Sequence, residues 1–270
     1  MSDNYDNSNS SNDKEYTETD SDLETETETE TETDSDSDSD SDLETDTNTD
    51  TNTDTDTKET TIIDAYIKYN KQFIILISGL SGTSKMRIAQ RLAKEFKFNY
   101  LNTKNFIDEN RYEEVEMPNG KKVKSWYNSY KWSDIIASIK EKKSNGVIVC
   151  GEHFPAEKLD NLYIDLHFHI KLSKNNIIKK RLEYIHESKT QEPNMYHDDE
   201  TETMLVNKVI FPNYLEIIQK SHINRFLNAN DLIDLPKDEY IENIYDKIFN
   251  EIIDHVREFL KKKNLDKYII

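Results

Sequence analysis

The sequence predicts an α/β fold in three layers: a five-stranded parallel sheet covered by helices on both faces, preceded by a disordered acidic tail. Three observations predict it. From residue 61 onward, short apolar and β-branched runs alternate with segments of helical periodicity. A glycine-bearing loop, LISGLSGTSKMR (76–87), joins the first apolar run to the first helical one. Charge also divides the chain. Residues 1–57 hold 22 acidic side chains against one lysine, a net −21 within a total of −19, so the remainder carries +2.

The expected domains are therefore a tail over 1–60 and a globular body over 61–270. In the tail, Asp or Glu alternates with Ser or Thr and almost nothing is apolar, so no burial offsets the entropy of ordering. Two roles stay open for it. It is a self-repelling, solubilising bristle, or it is a phosphorylation substrate or nucleic-acid mimic that contacts basic proteins. The one cysteine, Cys150, allows no intrachain disulfide, and the chain starts without a basic and apolar leader. An intracellular, cytoplasmic protein is expected. No apolar run is long enough to span a bilayer, so no membrane partner is expected.

Along the body, TIIDAYIKYN (61–70) suggests a lead-in helix and QFIILIS (72–78) a buried strand. Met86, Ile88, Ala89, Leu92, Ala93 and Phe96 then fall at helical spacing. FNYLN (98–102) is a second strand, and Pro-Asn-Gly inside 115–126 signals a hairpin. A Ser-Asp cap opens a helix over 133–143. GVIVC (146–150) is a strand ending at Gly151, Glu152 and His153, and YIDLHFHI (163–170) is another. A helix over 174–188, a polar loop over 189–202 and a helix over 203–221 with a break at Pro212 follow. INRFLNAN (223–230) gives the fifth strand, and 238–263 a long amphipathic helix with lysines at its C-terminal end. Ligands of such sheets sit at the C-terminal strand ends, which directs attention to 79–85, 102–108 and 151–153.

A loop between strand and helix that binds phosphate needs inward backbone N–H groups, a lysine for the outer phosphates, and a Ser or Thr hydroxyl for Mg²⁺. Gly79 opens such a loop and Lys85 stands six residues later, at the required spacing. Leu80, Ser81, Gly82, Thr83, Ser84 and Met86 complete the candidate cradle. Ser84 occupies the last glycine's position and Met86 the Ser/Thr position, and a thioether is a poor ligand for a hard cation. The alternative is an ordinary glycine turn.

Five stretches resemble, in order, the P-loop nucleoside kinases, most closely the uridine kinase and phosphoribulokinase branch: GLSGTSK, GVIVCGEHFPAEKL, YIDLHFHIKLSKNNIIKKRLEY, VNKVIFPNYLEII and FLNANDLIDL. The likeness covers about residues 70–250. It implies ATP-dependent phosphorylation of a hydroxyl on a nucleoside or another small metabolite, with ATP and Mg²⁺ bound. Carried over by position, Gly79, Gly82, Ser84 and Lys85 hold the triphosphate, and Arg181 touches phosphate from the lid helix. The family's catalytic Asp falls on Asn105, which accepts no proton, so Asp108 or Glu109 is the substitute. The family's Glu-Gly falls on Cys150-Gly151, with Glu152 one place later as the candidate for metal or proton. The lid, rich in arginine in the family, here has none over 182–204 and carries Asp198, Asp199, Glu200 and Glu202.

Two functions follow as expectations. One is a kinase using Lys85, Arg181, Asp108 and Glu152. The other is a catalytically impaired P-loop protein that binds nucleotide or a partner, with the acidic tail as contact surface. His153, His167 and His169 raise a metal site as an alternative to satisfied core histidines. Trp126, Tyr127, Tyr130 and Trp132 either pack a hairpin on the body or stack a base. Nucleic acid is not the expected partner, and the sequence leaves the oligomer open.

Overall fold

The computed structural model describes residues 53–125, 129–189, 198–265 and 268. The acidic stretch up to residue 52 lies outside them, as do Trp126, Tyr127 and residues 190–197 of the expected lid.

The chain runs α1 (Thr53–Asn70), β1 (Ile74–Ser78), α2 (Lys85–Glu95), β2 (Asn99–Asn102), β3 (Glu113–Glu116), β4 (Lys122–Ser125), α3 (Trp132–Lys142), β5 (Val147–Gly151), α4 (Ala156–Leu159), β6 (Leu166–Lys171), α5 (Lys174–Lys189), α6 (Asp199–Leu205), α7 (Phe211–Gln219), β7 (Arg225–Asn228) and α8 (Lys237–Lys262). The five-stranded sheet is parallel throughout, in the order β2-β5-β1-β6-β7, and β3 with β4 forms a separate antiparallel hairpin. The α/β expectation and its five strands hold.

Every residue of β1 is buried because both faces are covered. Ile75 and Ile77 join a core with Ile88 and Leu92 of α2 and Ile248, Ile252 and Val256 of α8. Ile74 and Leu76 point the other way, into a second core with Ile135 and Ile139 of α3 and with Val147 and Val149. Burying each such side chain is worth roughly 1.5–3 kcal/mol, which is why a five-residue apolar run suffices to define the central strand.

Strand order decides where a ligand fits. The chain leaves β1 for the β5 side of the sheet and later crosses to β6 on the other side. That reversal places a crevice at the C-terminal end of β1, where the glycine loop lies.

Three boundaries differ from expectation. α1 begins at Thr53, inside the segment assigned to the tail; once Ile62, Ile63, Ala65 and Tyr66 are buried, extending the helix costs little. β6 begins at Leu166 rather than Tyr163. The reason is Asp165, whose carboxylate accepts from Tyr66 Oη and Asn70 Nδ2, both at 2.7 Å, and from the Ile74 N–H at 2.8 Å, locking the sheet's N-terminal edge. The polar loop ends at Asp198, which caps α6 through the Thr201 N–H at 2.9 Å. The break expected at Pro212 lies just before it. A π-helical turn over Val206–Ile210 absorbs the register change, so the proline sits in the first turn of α7, where its missing N–H costs nothing.

Candidate functional site

The loop from Gly79 to Met86 connects β1 to α2, and two close approaches explain its glycines. A Cβ on Gly79 would stand 2.8 Å from the Ile170 carbonyl oxygen of β6, and one on Gly82 would stand 2.9 Å from Lys180 Cβ of α5. Leu80 is buried in the core and its carbonyl accepts from Thr83 Oγ1 at 2.9 Å and Lys85 Nζ at 3.3 Å, so the loop closes on itself. Ser81 Oγ donates to Glu152 Oε1 at 2.7 Å, and the Gly79 N–H donates to the Glu152 carbonyl at 3.3 Å. The end of β5 is thereby tied to the loop at two points.

Ser84 adopts φ 57°, ψ 11°, the left-handed conformation that the missing glycine would adopt without strain. For a residue with a Cβ this costs roughly 1 kcal/mol. Ser84→Gly is therefore expected to raise unfolding stability by about 0.5–1 kcal/mol in a urea titration, less whatever the freer unfolded chain takes back. A loss of stability would show that the Ser84 hydroxyl has a structural task.

Around this loop the structure gathers Lys85, Glu152 and Arg181, and adds Lys104. Burial lowers the Lys85 ammonium below its ordinary value, with Glu152 opposing. Burial pushes the Glu152 carboxyl up, but Lys85, Lys104, the Ser81 hydroxyl and Arg181 together hold it below its ordinary value, so it is ionised. The site is a carboxylate with three cations around it, tied to the glycine loop through the Ser81 hydroxyl.

Lys104 was missed in the sequence. It follows β2 in a 3-10 turn over Thr103–Phe106, and only the pairing of β2 with β5 brings that turn beside Glu152.

Arg181 does not point freely at the loop. Its Nε donates to Glu202 Oε1 at 2.5 Å, and Glu202, on α6, has a side chain only 3% exposed. Asp108 is not gathered with the cations either. It caps the 3-10 turn Glu109–Arg111, pairs with Arg111 at 3.3 Å, and lines a neighbouring cleft. Met86 is 40% exposed, and Asn102 Nδ2 lies 3.4 Å from its sulfur. Asn105 is exposed on the same turn as Lys104.

A cleft of about 820 Å³ is lined by Asp108, Arg111, Tyr130, Trp132, His153 and Asn213 among others, none of them from the 79–86 loop. His153 follows Glu152 directly, so the cleft opens at the same end of the sheet as the loop. The Tyr130 ring meets the His153 ring edge-on at 5.3 Å, and burial holds His153 down to about 4, neutral at physiological pH. Of the four aromatics singled out in sequence, Tyr130 and Trp132 line this cleft; the other two lie outside the described residues.

His167 and His169 form a hydrogen-bonded chain instead of converging on a metal. Ser78 Oγ bridges His167 Nε2 and His169 Nδ1, each at 2.8 Å. His169 Nε2 meets Tyr214 Oη at 2.7 Å, and His167 Nδ1 donates to the His222 carbonyl at 3.0 Å. Among the described residues no three His, Cys, Asp or Glu side chains converge as a metal site.

The protein is thus an α/β protein with a five-stranded parallel sheet and a glycine loop and lysine between its central strand and the next helix. Among solved structures the chain is similar to a shikimate kinase from Bacteroides thetaiotaomicron (TM-score 0.43, 13% identity, 70% of this chain and 99% of that one). It is also similar to a shikimate kinase from Acinetobacter baumannii in complex with shikimate (0.40, 12%, 70% and 97%) and a gluconokinase from Sinorhizobium meliloti 1021 (0.36, 10%, 67% and 97%). At such scores the likeness attaches no activity to this chain. No family model and no curated protein matches the sequence.

Proposed function

We propose that this chain binds ATP at the 79–86 loop and transfers the terminal phosphoryl group to a hydroxyl of a small metabolite held in the 820 Å³ cleft. The observation that carries this reading is a glycine loop with a buried, 6% exposed Lys85 at the switch point of the sheet, at the same sheet end as a polar cleft that His153 lines. Lys85 and the loop N–H groups neutralise the polyphosphate, which is most of what phosphoryl transfer asks of a protein. The acceptor oxygen forms the new O–P bond, ADP leaves with the old one, and the acceptor's proton passes to a carboxylate; of Asp108, Glu109 and Glu152, Asp108 is the one that lines the cleft, beside Glu113, Asp134, Glu157 and Glu216. A nucleoside, uridine first, is the acceptor class suggested by the sequence resemblance, and the Tyr130 and Trp132 rings offer a base a stacking surface.

A second reading has its own support. Arg181 is already bound by Glu202, and Met86 stands in the metal-ligand position. Both favour a protein that holds nucleotide without turning it over, with the acidic tail as a contact for basic partners. No helix among the described residues is long and apolar enough to cross a membrane.

The deciding experiment measures acceptor-dependent ADP release from labelled ATP against a panel of nucleosides, sugars and hydroxy acids. The kinase reading expects one acceptor class to raise ADP release at least tenfold over the intrinsic rate. ATP binding with no acceptor-dependent release across the panel establishes the second reading instead.

A further inference from the structure

We propose that the site takes its nucleotide as the metal-free polyphosphate anion, with the Lys104 ammonium supplying the charge that a divalent cation supplies in other phosphate loops. This rests on the proposed phosphate binding by the 79–86 loop.

The donors present do not fit Mg²⁺. That ion demands hard oxygen ligands in octahedral array, usually including a Ser or Thr hydroxyl directly after the loop lysine and a carboxylate nearby. Met86 follows Lys85 and offers a soft thioether. Opposite it stands Asn102, at the C-terminal end of β2. Its Nδ2 group, a donor that repels cations, lies against Met86 Sδ at 3.4 Å, while its one oxygen, Oδ1, accepts from the Lys104 backbone N–H at 3.1 Å. The Asn102 side-chain oxygen is thus already engaged in fixing the turn that carries Lys104. The carboxylate of the site, Glu152, has Oε1 held by the Ser81 hydroxyl.

Lys104 is placed to do what the metal does not. Asn102 sits opposite Cys150 in the β2–β5 register, so Lys104 and Glu152, each two residues further on, leave the sheet together at the loop end. Lys104 is exposed and its ammonium makes no hydrogen bond or salt bridge among the described residues; its charge acts on Glu152 through space, which leaves its N–H donors for an anion. With Lys85 and Lys104 against Glu152, and Arg181 matched by Glu202, the site carries excess positive charge. A further divalent cation would add to it; a bare polyphosphate would cancel it.

The test is calorimetric titration of the full chain with ATP in excess EDTA and again in excess Mg²⁺. Binding is expected in EDTA, and Mg²⁺ is expected to weaken it several-fold by drawing ATP into the metal complex. Lys104→Ala, on an exposed turn, is expected to weaken binding in EDTA about tenfold without moving the melting midpoint. The double substitution Met86→Ser with Asn102→Asp restores a hydroxyl and a carboxylate and is expected to reverse the preference toward the Mg²⁺ complex. Binding at least tenfold tighter with Mg²⁺ overturns the inference and leaves the phosphate loop standing. Unchanged affinity in Lys104→Ala overturns the part given to Lys104. Absence of binding in both buffers overturns the phosphate reading and this inference with it.

Discussion

Lys85→Ala is expected to lower ATP affinity at least 100-fold, about 2.7 kcal/mol or more, while the chain stays folded. The size of the effect follows from the ammonium's surroundings. Lys85 is almost wholly removed from water, and burial holds its pKa below the ordinary value even with Glu152 beside it. A cation already stripped of solvent has little hydration left to lose when an anion arrives, so its attraction for phosphate is realised nearly in full. A hydrated surface lysine would return much less. The fold should tolerate the change because Glu152 keeps the Ser81 hydroxyl and the nearby Lys104 and Arg181 charges. Lys85→Met keeps the stem's volume and separates lost charge from lost packing; the same affinity loss is expected from both variants. Calorimetric titration with ATP beside a thermal melt reads both quantities. Affinity within threefold of the unmodified chain in either variant removes the loop as a phosphate site.

The same residues show why the fold was more legible in the sequence than the site. β1 is a run of apolar residues that only two-sided burial explains, and Gly79, Gly82 and Lys85 have a spacing with few structural answers. Local pattern was enough there. The site's remaining members are fixed by pairings that no local pattern carries. Lys104 meets Glu152 because β2 happens to neighbour β5, and Glu202 meets Arg181 from the far end of the segment the sequence reads as a polar loop. Resemblance suggested Arg181 as a phosphate contact, yet it could not show that an acid of the lid already holds it. The start of β6 failed for a related reason. Tyr163 and Ile164 look like strand, but the chain joins the sheet only at Asp165, whose N–H donates to the Ile74 carbonyl at 3.1 Å while its carboxylate accepts from Tyr66, Asn70 and Ile74.

Acid is expected to unfold the protein well above the carboxylate range, because His167 and His169 are buried neutral. Burial holds His167 down to about 4 and His169, with His167 and Lys85 adding repulsion, down to about 3, against an unfolded value near 6.5. The unfolded chain thus binds protons that the folded chain refuses between those limits. Stability is complete above about pH 6.5 and falls as pH drops below it, by about 1.4 kcal/mol per pH unit for each histidine, roughly 3 for the pair, and His153, also held down to about 4, adds the same again as either one. Hydrogen bonding explains why the folded state refuses the proton. The His222 carbonyl can only accept, so His167 Nδ1 carries the hydrogen and Nε2 accepts from the Ser78 hydroxyl. Ser78 in turn accepts from His169 Nδ1, and His169 Nε2 accepts from Tyr214. Every donor runs in one direction along the chain. A proton added at His167 Nε2 displaces the Ser78 hydrogen from its acceptor inside the core, a loss on top of burying a charge. Urea titrations from pH 7.5 to 5 should show this slope in the unmodified protein and a slope smaller by about 1.4 kcal/mol per unit in His169→Gln, which keeps an amide donor and acceptor but does not titrate. Stability that stays level from pH 6.5 to 5 would mean that the two histidines reach water, and that the Ser78 bridge does not exist in solution.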